Sequence, residues 1–147
     1  MYSDDEIIAK ALTILAKRVK KHDFKLSSPN AVKNYLQIKL GEMEHEVFGV
    51  LFLNVKNRLI EDAIMFNGSL THASVYPREV VKKSLHVNAA SVVIYHNHPS
   101  GDSEPSQADI NLTRNLSQAL NLIDVRLLDH IVVTGADTTS FAEQGLI

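Results

Sequence analysis

His96 and His98 stand two apart, Pro99 and Gly101 follow, and Ser106 and Asp109 stand three apart. Alternate side chains of an extended segment point the same way, so both imidazoles can face one point. Asp109 falls where a helix should begin, a position at which the helix dipole favours a carboxylate. Two imidazoles and one carboxylate make a three-ligand set for a divalent ion, with a fourth position open to water. Such an ion lowers the pKa of water to about 7, so a nucleophile becomes available near neutral pH. Hydrolysis also needs a general base that is not itself a ligand. Glu46, which opens the apolar stretch Val47 to Val55, is the best candidate. Each piece also has a plainer reading. Ser106 and Asp109 have capping-box spacing, and Glu46 could be an exposed residue at a strand end. The combination favours a metal site.

Other chemistries are excluded by what is missing. There are no cysteines, hence no disulfide, no thiolate site and no cysteine nucleophile. His45-Glu46 could open a His-Glu-x-x-His zinc helix, but Gly49 occupies the position of the second histidine. The string His96-Asn97-His98 is not the nuclease motif of those letters, whose residues are spread over a longer segment. A zinc deaminase would need a Pro-Cys-x-x-Cys segment. His130, after Asp129, reads either as a satisfied buried pair or as a partner or extra ligand of the metal site.

The elements that must position these residues are legible in outline. Ser3 and Glu6 begin a helix with an apolar face at Ile8, Leu12, Leu15 and Val19. Ser28-Pro29 starts a second helix, striped by Val32, Tyr35, Leu36 and Leu40 and ended at Gly41. Val47 to Val55 predicts a buried strand, and Leu59 to Phe66 a second one antiparallel to it. Asn67-Gly68-Ser69 breaks the chain. Pro77 starts a helix that stops by Asn88. Ala89 to Tyr95 predicts the strand that delivers His96 and His98. A helix from Ser106 carries Leu112, Leu116, Ala119, Leu120 and Ile123 on one face. Val125 to Thr134 predicts another strand, and Phe141 to Ile147 a final strand or short helix. This alternation predicts a three-layer α/β sandwich, a mixed central sheet flanked by helices.

The 147 residues suit one domain, preceded by a helical extension over 1–26. A formal net charge of −2 gives no global basic field for nucleic acid. The run Lys17, Arg18, Lys20, Lys21 and Lys25 reads as a solvated helix end or, alternatively, as a phosphate-binding arm. No apolar run reaches the roughly 18 residues of a membrane helix, and the acidic N-terminus lacks a secretory core. A cytoplasmic protein without membrane association is expected.

Glu46, His96, His98, Ser106 and Asp109 together resemble the JAMM (MPN+) metallopeptidase motif. Phe48 to Ile60, Val75 to Val80, His96 to Gly101, Leu128 to His130 and Ser140 to Glu143 are similar to the RadC family. The resemblance covers roughly Ser27 to Ile147. It implies a cytidine-deaminase-like sandwich with zinc held by His96, His98 and Asp109, a cofactor that such ligands suit. It implies Glu46 as base and proton shuttle, and Ser106 as a hydrogen-bond donor near the metal. The implied reaction is hydrolysis of a peptide or isopeptide bond in a protein or peptide substrate. The family's DNA-repair label supplies the alternative, a nucleic-acid-associated protein. Longer RadC relatives carry an N-terminal helix-hairpin-helix region, for which this chain shows no sequence, so it resembles a short form. Asn97 stands where eukaryotic JAMM deubiquitinases have Ser or Thr.

Overall fold

A computed structural model of the chain describes residues 1–20, 28–68 and 75–147. Its elements are α1 (Asp4–Lys20), α2 (Pro29–Leu40), β1 (Val47–Leu53), β2 (Leu59–Asn67), α3 (Pro77–His86), β3 (Ser91–Asn97), α4 (Gln107–Asn121), β4 (Arg126–Val133) and β5 (Thr138–Ser140). The end of the N-terminal extension, the basic residues Lys21 and Lys25 and most of the loop after Gly68 lie outside the described residues.

The five strands form one mixed sheet in the order β2-β1-β3-β4-β5. β1 runs antiparallel to both β2 and β3, β3 runs parallel to β4, and β5 closes the far edge antiparallel to β4. A parallel pair needs a crossover, and α4 is that crossover. The strand residues alternate between two apolar layers. Val47, Leu51, Leu53, Val93, Tyr95, Ile131 and Val133 face Val32, Leu36 and Leu40 of α2. Phe48, Val50, Phe52, Val92 and Ile94 face Val80 of α3 and Leu116 and Leu120 of α4. Helices therefore cover both faces, giving the three-layer α/β sandwich that the alternation predicts and the resemblance implies. β1 and β3 are buried along their whole length, which explains why both read as near-continuous apolar runs.

Several boundaries differ from the expectation: β3 runs Ser91–Asn97 rather than Ala89 to Tyr95, β4 is one residue shorter at each end, and two further differences have a local cause. β1 stops at Leu53 rather than Val55, because the Asn54 side chain accepts from Lys56 N–H and Arg58 N–H and folds the turn locally. Phe141 to Ile147 is neither strand nor helix. The last strand is the three-residue β5 before it, after which Phe141 is buried and stacks on His130. Gly145, with φ 72°, then turns the chain.

One glycine is required by packing. Gly49 on β1 pairs with Tyr95 on β3, and the tyrosine ring lies over the glycine backbone. From there the Tyr95 hydroxyl donates to the Asp62 carboxylate, which also accepts from Tyr35 and pairs with Lys39. Burial, reinforced by Asp62, raises both tyrosines well above their usual range, so both remain donors. A methyl group at Gly49 would lie 2.1 Å from Tyr95 Cζ. Gly49→Ala is therefore expected to cost about 1–3 kcal/mol by overpacking, read as a lower denaturation midpoint. An unchanged midpoint would mean that Tyr95 has room to move.

Candidate metal centre

The site is built at the end of β3 and the start of α4. Ile94, His96 and His98 share the strand face that looks toward α3 and α4, so the two imidazoles lie side by side, ring centroids 4.5 Å apart. Gly101, with φ 92°, turns the chain after Pro99. Ser106 caps α4 with a complete capping box. Its Oγ accepts from Asp109 N–H at 3.0 Å, and its own N–H donates to Asp109 Oδ2 at 2.8 Å. The box fixes the rotamer of Asp109 and aims its other oxygen, Oδ1, back at His96 Nε2, 3.3 Å away. His98 Nε2 lies 3.7 Å from Oδ2. One ligand atom from each of His96, His98 and Asp109 falls within 4.8 Å of the others.

The protons of this cluster follow from its hydrogen bonds. Thr113 Oγ1 lies 2.6 Å from the Asp109 carbonyl, which can only accept, so the hydroxyl donates its one proton there. His130 Nδ1, 2.6 Å from the same hydroxyl, must then donate to it. Burial holds His130 well below the usual histidine range, and the neighbouring His96 adds to this, so the ring is neutral. Its Nε2 is an acceptor and takes the Nδ1–H of His96 at 2.7 Å. His98 Nδ1 faces the Asp102 carbonyl at 2.7 Å, so it too carries the proton. In the neutral tautomers so fixed, the two Nε2 atoms carry the lone pairs and lie 2.7 Å apart.

Burial also lowers the pKa of His96, although the adjacent Asp109 carboxylate, and more weakly the charge of Glu46, oppose it. Burial pushes the Asp109 carboxyl up. The neighbouring His96, with the Ser106 N–H bond to Oδ2, outweighs this and leaves the carboxyl ionised, below the ordinary carboxylate range. Asp109 Oδ1 is buried with no hydrogen-bond partner among the described residues. Three acceptors thus converge on one point with no donor between them. A buried arrangement of that kind is costly without a cation, and the donor set suits zinc.

Glu46 immediately precedes β1 and is half-buried. Phe48 pairs with His96, and the same register continued by two residues brings Glu46 across from His98. Its electrostatic effect on His96 fits that placement. The structure thus brings His96, His98, Ser106 and Asp109 together at one end of β3, and the β1–β3 register brings Glu46 to the same end. The expected Asp129–His130 pair is not formed through the ring. Asp129 accepts from His130 N–H, Ala142 N–H and the Ser140 hydroxyl, while the His130 imidazole sits against Phe141 and touches His96. Thr113 and Asn97 were missed as contributors. Thr113 follows Asp109 by one helical turn, the only local hint of its place.

Residues 26–146 match the RadC-like JAB domain family. The chain belongs to that family. It is 55% identical over 144 residues to a UPF0758 protein of Vibrio cholerae serotype O1, covering 98% of this chain and 90% of that protein. It is 63% identical over 120 residues to a UPF0758 protein of Janthinobacterium sp. (strain Marseille), covering 82% of this chain and 54% of that one. A UPF0758 protein of Paracidovorax citrulli is 53% identical over 141 residues, 96% of this chain and 59% of its own length. The RadC-like chain therefore spans only a little over half of the Janthinobacterium and Paracidovorax relatives. Among its described residues no helix is long and apolar enough to cross a membrane.

Proposed function

We propose that this RadC-like JAB domain is a zinc-dependent hydrolase of amide bonds, a metallopeptidase or isopeptidase acting on a protein or peptide substrate. The observation that carries the reading is the convergence of His96 Nε2, His98 Nε2 and the orphaned Asp109 Oδ1 with no proton donor between them. His96, His98 and Asp109 would hold the ion, with His130 and the Asp102 carbonyl fixing the ring tautomers from behind. When bound, zinc supplies a Lewis acid that polarises a carbonyl oxygen and lowers the pKa of a water molecule.

The protein's own groups do the rest. Glu46 takes the proton of the attacking water as the new C–O bond forms, and delivers it to the leaving nitrogen as the C–N bond breaks. Ser106 Oγ spends an acceptor site on Asp109 N–H, so its hydroxyl proton remains free to donate to the developing oxyanion. The buried Phe48 behind His96 and the capping box at Asp109 keep the ligands from swinging out.

Cleavage of a fluorescence-quenched peptide library and of isopeptide-linked lysine substrates is the direct test. Hydrolysis should disappear on chelation and return with stoichiometric zinc. Hydrolysis that survives exhaustive chelation would contradict the proposal.

A further inference from the structure

Asn97 is the last residue of β3 and is buried, 2% exposed. It lies between the two histidines in sequence, yet by strand alternation its side chain leaves the opposite face of the sheet. Its amide is used at both ends. Oδ1 accepts from Val47 N–H at 2.7 Å, and Nδ2 donates to the His45 carbonyl at 2.9 Å. These two backbone groups flank Glu46 on either side. The Glu46 carbonyl itself accepts from Gly68 N–H at 2.8 Å, in a turn where Gly68 adopts φ 110°. Both peptide planes adjoining Glu46 are therefore tied down, and Asn97 holds one atom of each. Fixing those planes fixes the direction in which the Glu46 side chain leaves the backbone.

We propose that Asn97 is a positioning residue that aims the Glu46 carboxylate at the His96–His98–Asp109 centre. The inference rests on the role given to Glu46 above. The β1–β3 ladder ends at Phe48 and His96, so the backbone pairing stops two residues short of Glu46. The Asn97 amide carries the registration across that gap. A carboxamide is required because one group must donate and accept at once. Asp would keep the bond from Val47 N–H and lose the bond to His45. Ser is too short to span both, and Ala makes neither.

The test uses the full chain loaded with Co(II) in place of zinc, with ¹³C-labelled glutamate and the Glu46 carboxyl resonance assigned through Glu46→Gln. In the wild type the Glu46 signal should carry a large paramagnetic shift, far above that of Glu61. In Asn97→Ala, and in Asn97→Ser should the alanine variant fail to fold, Co(II) should still bind with unchanged stoichiometry. The Glu46 shift should fall severalfold, and exchange of the Val47 amide should speed up severalfold. If the variants melt lower but keep the Glu46 shift, Asn97 is structural and the proposal is overturned. If the wild type binds no Co(II), the metal reading itself fails, and the clamp has nothing to aim at. Turnover supplies a second readout. Asn97→Ala should lower kcat in the wild-type background and lower it no further in Glu46→Gln; equal losses in both backgrounds would also overturn the proposal.

Discussion

Replacing Glu46 by Gln should lower turnover by roughly 10²–10⁴-fold, the usual contribution of a positioned general base, while zinc stays bound. Glutamine keeps the shape of the side chain and removes its ability to take a proton. Glu46 sits outside the ligand set, at the start of β1, so its loss leaves the capping box, the imidazole tautomers and Asp109 untouched. The expected signature is therefore a fall in kcat with metal content and KM near wild type. Turnover within a few-fold of wild type would remove Glu46 from the mechanism. Loss of metal together with turnover would make it a ligand instead.

Asp109→Asn should have an effect of opposite sign on two properties. Zinc affinity should collapse, because a neutral amide oxygen replaces the one anionic ligand. The metal-free protein should become more stable than metal-free wild type. The new carboxamide can still accept from Ser106 N–H, so the capping box survives, and its NH₂ can donate to the bare Nε2 of His96. Removing a buried unsatisfied acceptor should gain about 1–3 kcal/mol, which for a chain of this size raises Tm by roughly 2–10 °C. Melts in chelator and in excess zinc separate the two effects. A variant less stable than wild type in chelator would show that Asp109 is satisfied by the protein alone.

Much of this was legible in the sequence because it is local. The His-x-His spacing, the Ser106–Asp109 cap and the apolar runs around them each encode their own geometry, and β1, β2, β3, α2 and α4 follow from periodicity and caps. What could not be read depends on register between distant segments. His130 reaches His96 only because β3 and β4 pair in parallel with Ile94 beside His130. Asn97 reaches His45 and Val47 only because β1 begins where β3 ends, fifty residues apart in sequence. The tail, expected as a strand or short helix, was misread because β5 has three residues, too few to show a period, while the apolar Phe141 is a plug against His130. His96, His98, Ser106 and Asp109 stood out by type and spacing; Glu46 stood out only as a carboxylate opening an apolar strand, and the resemblance joined it to the set. The Nδ1 hydrogen bonds that turn both Nε2 atoms toward Asp109 as the free ring nitrogens were visible only in three dimensions.

The most direct measurement is the zinc content of the purified wild-type chain after dialysis, by elemental analysis, alongside calorimetric titration of the chelated protein. The expected result is one zinc per chain, bound with release of few or no protons from His96 and His98, since both Nε2 atoms already carry lone pairs. No stoichiometric zinc under zinc-replete conditions, in a protein that remains folded, would contradict the metal centre and the hydrolytic reading with it.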